Sequence, residues 1–519
     1  MAPLHTQPQL LRQERMNADD ALKMRDRLWR WLTGAGNLAL VAGLICMGQD
    51  QARAQNPSPT SARHVAALAP ADIAAQVDWI HQPLNPAPGW SDDDVRASRV
   101  ETVGARELPA HPVWRGDPMN LFVVIEGGDH VSLVDGDRFE VIHRFASRDT
   151  LRGGPRFTAD GRYVFFASHD GWITKYDLWN LTVTAEVRAG LNLRNVAVSG
   201  DGRWVMAANY LPRTVVLFDA DLNLVKRYDA TTLDGKQASR VSAVYDAAPR
   251  RSFVVALKDI PEIWEISYDP QAKPIYDGYV HDYRMGEAIA KPGYLGVRRT
   301  ILKEPLEDFF FDQSYAYVLG ATRPKAGAAS GTPNVEVVNL DVRRKIAELP
   351  IAGMPHPGSG ITFTWKGTTV LASPNLKDGT IDVIDMRTWK AVKTIPTPGP
   401  GCFMRSHENS RYAWTDSMMS PKAKDTLTLI DKTTLEPAAT LRKPGRTLAQ
   451  TEFTRDGRYA LVSVRESDGA VIVFDTKTLK EVKRLPMSKP VGGYNVWNNI
   501  KGRPSPGPSP CQWPDRSAQ

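Results

Sequence analysis

Two histidines of this chain lie where the neighbouring residues suggest chemistry. His356 stands in GMPHPGSG, residues 353–360, with a proline on each side. Prolines restrict the backbone, and ordered loops often carry binding residues. His407 follows Arg405 by two residues, a spacing that puts both side chains on the same side of a strand. An imidazole beside a guanidinium can bind a carboxylate or stabilise a developing anion. For each histidine, a purely structural hydrogen-bonding role is the alternative.

Two further histidines are weaker candidates. His169 occupies a turn in ASHDG, residues 167–171, and His130 follows the GGD of residues 127–129. An Asp-Gly pair is ordinary turn chemistry, which accounts for the first of these segments without any ligand. The sequence contains no HxxxH pair, no serine nucleophile elbow and no phosphate-binding loop.

Aromatic residues and glycines concentrate in KPVGGYNVWN, residues 489–498. Gly492 and Gly493 allow close backbone approach to a flat ligand, and Tyr494 and Trp497 are of the type that packs against one. The alternative is a strand that closes a ring of sheets, which also needs apolar residues. Both interpretations stay open at this point.

The elements that position these residues are repeated. Eight alternating apolar runs end in Asp or a near substitute, at intervals of 42 to 48 residues with one interval of 72. This period, with period-2 patterning inside each unit, predicts a β-propeller with one four-stranded blade per repeat. The runs end at Asp135, Asp177, Asp219, Ser267, Asn339, Asp385, Asp431 and Asp475.

A second motif supports the same fold. D-G-R-Y and its variants begin at Asp160, Asp201, Asn409 and Asp456, and an Asx-Gly pair before an aromatic residue predicts a tight hairpin turn. We therefore predict an all-β, eight-bladed β-propeller over residues 119–500. The long interval indicates an insertion between blades four and five, residues 268–333.

The ends of the chain differ in composition. Three arginines, an apolar run at residues 38–47 and Ala52-Arg-Ala54 predict a signal peptide over residues 1–54, hence a periplasmic protein, with lipidation or an uncleaved membrane anchor as alternatives. Residues 55–118 are predicted to form a linker with one short helix near residues 70–80, and residues 501–519 a disordered Pro-rich tail. Cleavage of the signal peptide would remove Cys46 and leave only Cys402 and Cys511, and we do not expect a disulfide between these two.

Charge argues against binding of nucleic acid, and cysteine usage argues against a covalently attached c-type haem. The net charge is +7, from 65 Lys and Arg against 58 Asp and Glu, and the two signs are interspersed. Such a mixed surface gives no basic cluster for nucleic acid. No Cys-x-x-Cys-His occurs in the 519 residues, so the sequence offers no attachment site for a covalent c-type haem.

Several segments together resemble the haem d1 domain of cytochrome cd1 nitrite reductase and its NirN and NirF relatives. The resemblance runs in order over about 380 residues. It is carried by MNLFVV (119–124), DGRYVFFASHDGWITKYDLW (160–179), MPHPGSGITF (354–363), FMRSHENSRYAWTD (403–416) and KPVGGYNVWNNI (489–500).

This resemblance implies a propeller that holds haem d1 or dihydro-haem d1 without a covalent bond. It implies His407 and His356 as candidates for proton abstraction and His169, or His130, as a substitute axial ligand of the iron. The residues expected to contact the tetrapyrrole are Arg152, Arg156, His169, Arg405, Tyr494 and Trp497.

Departures from the family pattern argue against nitrite reduction. Where the family has its proximal haem-ligand histidine, this chain reads LRGGPR, residues 151–156, and Asn375 and Glu307 stand where the family has further histidines. The c-haem domain of the nitrite reductases has no counterpart. NirF is therefore expected to be the better match, because NirN relatives normally carry a c-type haem.

The expected function is binding of the d1-type tetrapyrrole during haem d1 biosynthesis, with oxidation of a propionate side chain to an acrylate if the protein is an enzyme. A cytochrome c or a nitrite reductase is the expected protein partner. The alternatives are a non-enzymatic haem d1 carrier, a divergent nitrite reductase subunit that uses a separate cytochrome c, and a propeller that only binds proteins.

Overall fold

The computed structural model describes residues 89–104, 107–127, 129–148, 150–276, 290–322 and 334–500. This part of the chain forms eight antiparallel sheets, one per blade, and one two-stranded hairpin. The prediction of an all-β, eight-bladed propeller is confirmed. The predicted signal peptide, the helix expected near residues 70–80 and the Pro-rich tail lie outside the described residues.

Seven blades contain four strands, blade 2 gains a fifth from the segment before the blades, and the innermost strand comes first among the strands of its blade in every blade except blade 1. A short N-terminal segment precedes the blades and consists of α1 (Asp92–Ser98) and β1 (Val100–Glu101). Blade 1 consists of β2 (Leu121–Glu126), β3 (His130–Asp135), β4 (Glu140–Ala146) and β35 (Pro490–Asn495). Blade 2 consists of β5 (Leu151–Phe157), β6 (Tyr163–Ser168), β7 (Trp172–Asp177) and β8 (Thr182–Arg188). Blade 3 consists of β9 (Asn192–Val198), β10 (Trp204–Leu211), β11 (Thr214–Asp219) and β12 (Leu224–Asp229).

Blade 4 carries the extra hairpin between its third and fourth strands. It consists of β13 (Val241–Ala247), β14 (Ser252–Leu257), β15 (Glu262–Ser267) and β18 (Val297–Ile301), with β16 (Ile275–Tyr276) and β17 (Ala290–Lys291) as the hairpin. Blade 5 consists of β19 (Leu306–Phe311), β20 (Tyr317–Thr322), β21 (Val335–Asn339) and β22 (Arg344–Leu349). Blade 6 consists of β23 (Ile361–Trp365), β24 (Thr368–Pro374), β25 (Thr380–Asp385) and β26 (Lys390–Pro396).

Blades 7 and 8 complete the ring. Blade 7 consists of β27 (Met404–Arg405), β28 (Tyr412–Asp416), β29 (Thr426–Asp431) and β30 (Glu436–Arg442). Blade 8 consists of β31 (Leu448–Phe453), β32 (Tyr459–Val464), β33 (Ala470–Asp475) and β34 (Glu481–Pro486). The helix α2 (Val496–Ile500) follows β35, and 3-10 helices occupy Pro118–Asn120, Ala248–Arg250 and Pro357–Ser359.

The eight runs found in the sequence are the third strands of the eight blades. The residue that ends each run accepts hydrogen bonds from backbone N–H groups of the next turn. Asp385 accepts from Arg387 at 2.8 Å and from Thr388 at 2.9 Å, and Asn339 does the same in blade 5 at 2.9 and 3.1 Å. An Asx side chain thus completes the turn to the fourth strand, which explains why the substitutes are Asn and Ser.

Apolar side chains pack between blades rather than within them. Eight clusters of buried residues in the described part of the chain each join two neighbouring blades, and together they go once around the ring. The alternation along each strand provides both faces of these contacts, because successive side chains point to opposite faces of a blade. Every blade is therefore buried against two others.

The ring is closed by hydrogen bonds between the two ends of the propeller. The last strand, β35, pairs with β2 from Phe122–Asn495 to Ile125–Gly492. The interpretation of residues 489–498 as a closing strand is therefore confirmed. The eight innermost strands lie side by side around the channel; we call the end where they begin the mouth and the end with their hairpin turns the turn end.

Two features differ from the sequence expectation. Residues 89–104 are not an open linker: Ser91 caps α1, Val95 is buried between blades 2 and 3, and β1 adds a fifth strand to blade 2. The extra residues do not form one insertion between blades 4 and 5. They lie within blade 4, between β15 and β18, and within blade 5, between β20 and β21.

No helix within the described ranges is long and apolar enough to cross a membrane. The apolar run of residues 38–47 is not among those ranges.

The Asx turns give a test of the fold. Asp475 accepts from the backbone N–H groups of Thr478 at 2.7 Å and Lys477 at 3.0 Å, and these bonds, that of Thr478 first, lower its pKa. Asp475→Ala is expected to lower the free energy of unfolding by about 1 kcal/mol. Asp475→Asn is expected to retain most of this stabilisation, because its side-chain oxygen still accepts the hydrogen bonds. Urea unfolding at pH 7 measures both variants.

The pH dependence follows from the lowered pKa. The stabilisation by ionised Asp475 is present above the unfolded-state pKa of about 3.9 and is lost as the pH falls through the lower folded-state value. The difference in the free energy of unfolding between the wild type and Asp475→Ala should therefore become smaller towards pH 3. Equal stability of all three proteins at pH 7 would contradict the turn's role.

Candidate functional site in the central channel

Irregular pairing of the innermost strands gives the channel its polar lining. The register between the first and second strands shifts at Arg194 in β9, Ser242 in β13, Glu307 in β19 and Gln450 in β31, and over residues 153–155 in β5. A β-bulge leaves a residue unpaired and redirects side chains, and bulges are frequent beside active sites. The bulges recur near the start of the innermost strands, so they bring polar side chains of several blades together.

One chain of contacts joins blades 2, 4, 5 and 6. The Arg156 guanidinium lies over the Tyr245 ring at 5.9 Å. The Tyr245 hydroxyl donates to Asp308 Oδ1 at 2.7 Å, and Asp308 Oδ2 lies 3.6 Å from His356 Nε2. All four residues are buried. An ionisable cluster of this kind inside a channel is a candidate for binding and proton transfer.

Arg156 contributes unused hydrogen-bonding capacity to this cluster. Its Nη1 donates to the Pro155 carbonyl at 3.3 Å, while Nε and Nη2 are buried and have no partner among the described residues. Burial lowers the pKa of Arg156, partly offset by the nearby Tyr245, Tyr494 and Asp308. A buried guanidinium with unbonded N–H groups is costly, and a carboxylate can satisfy it with two parallel bonds.

His356 has an acceptor group near each of its two ring nitrogens. Its Nδ1 lies 3.3 Å from the Cys402 carbonyl, and because a carbonyl only accepts, the proton belongs on Nδ1. In the neutral form of this tautomer, Nε2 carries the lone pair and lies 3.6 Å from Asp308 Oδ2, a contact that becomes attractive once Nε2 is protonated. Burial lowers the pKa of His356, and the neighbouring Asp308 opposes that shift. Gly358 is required here, because a Cβ at this position would lie 2.0 Å from Asp308 Oδ2.

The loop that carries Cys402 is fixed by a buried carboxylate. Asp416 accepts from the backbone N–H groups of Cys402 at 2.9 Å and of Phe403 at 3.1 Å. Burial raises the pKa of Asp416 to about 6 against these bonds. Cys402 is disulfide-bonded, contrary to the sequence expectation, and its partner lies outside the described residues. The disulfide of Cys402 and the hydrogen bonds to Asp416 together fix the position of the Cys402 carbonyl, which orients His356.

A second group lines the channel from blades 7, 8 and 1. Arg405 Nη1 donates to the Met404 carbonyl at 2.7 Å, and its Nε lies 3.9 Å from Glu452 Oε2. Tyr494 is hydrogen-bonded to Gln450, and burial raises its pKa. All these side chains are buried. The guanidinium groups of Arg405 and Arg156 partly oppose this rise in the pKa of Tyr494.

His407 does not reach this cluster. It lies at the turn end, where Nδ1 accepts from the Asn409 backbone N–H and Nε2 donates to the Arg455 carbonyl, each at 3.1 Å. Both ring nitrogens are occupied by backbone groups of blades 7 and 8. These contacts favour the structural alternative, and the described structure shows no contact between His407 and Arg405.

Trp497 also lies at the turn end. It belongs to α2, beyond the closing strand, and its ring lies 4.4 Å from the Arg455 guanidinium. The chain passes the channel at Tyr494 and leaves it before Trp497, so this position gives no support to the expected packing of Trp497 against a ligand. Tyr494 itself is buried in the innermost strand of blade 1, and its contact with a ligand stays a prediction.

The two candidate metal ligands have different positions. His169 lies at the mouth, where its backbone N–H bonds to Thr150 at 2.9 Å and its carbonyl accepts from Leu193 at 3.2 Å. His130 begins the third strand of blade 1 and contacts Asp129 at 3.0 Å, two strands away from the channel. This distance, roughly 10 Å at 4.8 Å per strand, removes it from the set of channel residues.

Within the described ranges, no three His, Cys, Asp or Glu side chains group as a metal site. Arg152 lies in β5, but its side chain is not described. Sequence reasoning missed Tyr245, Asp308, Gln450 and Glu452. The available signal was polar residues inside an otherwise apolar innermost strand, such as the two acids in LEDFFF of β19. That signal becomes readable only when the innermost strands are known.

Comparisons with known proteins agree with this architecture. The family model described as Cytochrome D1 heme domain matches residues 116–279 and 293–499. The dihydro-heme d1 dehydrogenase of Pseudomonas aeruginosa is 48% identical over 476 residues, which cover 90% of each chain. Protein NirF of the same organism is 29% identical over 393 residues, 73% of this chain and 92% of that protein.

The chain is also similar to a solved structure. Dihydro-heme d1 dehydrogenase NirN in complex with DHE is 50% identical, with a TM-score of 0.73, over 84% of this chain and 88% of that chain. The expectation that NirF is the better match is wrong, because identity to the dehydrogenase is 48% against 29% to NirF. The chain belongs to the cytochrome D1 heme domain family.

Proposed function

We propose that this protein binds dihydro-haem d1 in its channel and oxidises a propionate side chain of that substrate to an acrylate, as a step of haem d1 biosynthesis. The observation that carries the proposal is the buried chain Arg156–Tyr245–Asp308–His356. It lies in a protein 48% identical to a dihydro-heme d1 dehydrogenase, whose NirN relative is solved with a d1-type tetrapyrrole.

The reaction balances as a two-electron oxidation. A –CH2–CH2– unit becomes –CH=CH–, so that two protons and two electrons leave the substrate. His356 Nε2 takes one proton, and the other goes to solvent. The electrons pass through the conjugated macrocycle to two molecules of a one-electron acceptor, for which we propose a c-type cytochrome. A periplasmic location would provide such a partner and agrees with the predicted signal peptide.

The geometry supports a general-base role for His356. Its neutral form has Nδ1–H on the Cys402 carbonyl and a lone pair on Nε2. Once Nε2 takes a proton, Asp308 Oδ2 at 3.6 Å stabilises the imidazolium. Tyr245 in turn holds Asp308 through the 2.7 Å bond to Oδ1. General-base catalysis of this kind typically contributes about 10²- to 10⁴-fold in rate.

The other channel residues suit the acidic side chains of the substrate. Arg156 offers Nε and Nη2 to a carboxylate, and Arg405 adds a second guanidinium. Of the two expected metal ligands, His169 at the mouth is the one we retain for the iron of the substrate.

A non-enzymatic haem d1 carrier is the second candidate. It is favoured by the sequence of β5, LRGGPR, which has no histidine at the place where the family has its proximal ligand. A carrier would bind the same tetrapyrrole through the same arginines and would leave it unchanged. The two candidates therefore differ in turnover and not in binding.

Titration of the purified protein with dihydro-haem d1 separates these candidates. We expect a saturable absorbance change at one equivalent, followed by slow conversion to haem d1 after oxidised cytochrome c is added. Binding without conversion would support the carrier. No absorbance change with either dihydro-haem d1 or haem d1 would contradict both.

Substitution of Arg156 tests the carboxylate contact. Hydrogen bonds to charged groups contribute about 1.5–3 kcal/mol, so Arg156→Gln should raise the Kd for dihydro-haem d1 roughly 10- to 100-fold. Arg203→Gln is the matched control, because Arg203 is exposed beside the hairpin turn of blade 3. An unchanged Kd in Arg156→Gln would remove this residue from the binding site.

The pH profile tests the Asp308–His356 pair. Because burial lowers the pKa of His356, the base form is present at neutral pH, and conversion should fall only at a pH below the usual value of about 6.5. Asp308→Asn removes the group that raises this pKa. Its turnover should be at least about tenfold slower, with the acidic limb at still lower pH. A limb that does not move would exclude Asp308 from this role.

A further inference from the structure

Gln450 has a backbone conformation that glutamine rarely adopts. Its φ is +40°, in the left-handed region, and it is the bulged residue of β31 between Ala449 and Thr451. It is also buried. Non-glycine residues persist in this region only where the surrounding structure imposes it, and such residues cluster at ligand sites.

The side-chain amide of Gln450 makes hydrogen bonds through its nitrogen and none through its oxygen among the described residues. Nε2 donates to the Gly493 carbonyl at 3.2 Å, and the amide is also hydrogen-bonded to Tyr494. The buried Oε1 accepts no hydrogen bond from any described residue. Gly492 makes room for it, because a Cβ there would lie 2.1 Å from Oε1. The amide is thus fixed through its nitrogen, while its oxygen is left as an acceptor.

The chemistry of an amide oxygen limits what it can bind. It accepts a hydrogen bond and cannot donate one, so it does not pair with an ionised carboxylate. It does pair with a protonated carboxyl group. Removing a proton from carbon beside an ionised carboxylate adds a second negative charge to the same unit, so the protonated acid is the form that reacts more readily. Arg156, by contrast, suits an ionised carboxylate of the same substrate.

We propose that Gln450 is a substrate-contacting residue whose Oε1 accepts a hydrogen bond from the protonated carboxyl group of the side chain that is oxidised. This inference rests on the proposed function. The backbone bulge and Gly492 place the amide, and Gly493 with Tyr494 fixes its orientation. Gln450 therefore determines which protonation state of that side chain binds.

The test measures binding and its pH dependence rather than turnover. If the bound side chain is protonated, the Kd of the wild type for dihydro-haem d1 should rise up to tenfold per pH unit between pH 6 and pH 8. Gln450→Met keeps the volume and removes the acceptor. We expect its Kd at pH 6 to rise at least tenfold and its pH dependence to be lost. Gln313→Met, in an exposed turn of blade 5, is the matched control and should behave as the wild type.

A second variant keeps the test decisive if Gln450→Met does not fold. Gln450→Glu retains an acceptor and adds a charge that can share the carboxyl proton, so its binding should persist at pH 6 and weaken more steeply than that of the wild type towards pH 8. Wild-type Kd and pH dependence in either folded variant would overturn the inference. Failure of the wild type itself to bind dihydro-haem d1 would instead contradict the proposed function.

Discussion

Closure of the ring by β35 and β2 is the constraint on which the rest of the structure depends. The four backbone pairs from Phe122–Asn495 to Ile125–Gly492 join the two ends of the propeller. Once the ring is closed, the eight innermost strands face one another across one narrow channel. Any polar side chain that is buried on their inner face then needs a partner from another blade, from water or from a ligand.

The channel meets this requirement unevenly. Asp308 is well satisfied at Oδ1, by the Tyr245 hydroxyl and its neighbouring backbone N–H, while Oδ2 has only the longer contact with His356. Arg156 and Gln450 keep buried groups that no described residue satisfies. At the turn end, both ring nitrogens of His407 have hydrogen-bond partners.

The sequence predicted the repeated parts of the fold and fewer of the site residues. Third strands end in Asx turns, so Asp385 and its counterparts repeat visibly, and the blade count follows from them. His356 and Tyr494 were found because prolines or glycines surround them. Tyr245 and Asp308 were missed, because the face on which a residue of an innermost strand falls depends on the bulges that precede it. His407 and Trp497 lie at the turn end, and their expected contacts with the tetrapyrrole stay predictions. Bulges arise from pairing across strands, and no local pattern encodes them.

Unsatisfied groups in the channel also bear on selectivity. No described residue satisfies these groups of Arg156 and Gln450, so a substrate that supplies the partners gains hydrogen bonds that other ligands do not make. A tetrapyrrole without the matching acidic side chains fills the same space and leaves both groups unpaired. Sites built to hydrogen-bond a substrate reject an analogue that lacks the group far more strongly than apolar pockets reject a missing methylene. Discrimination in this channel should therefore depend on the acidic side chains of the macrocycle and only weakly on its apolar surface.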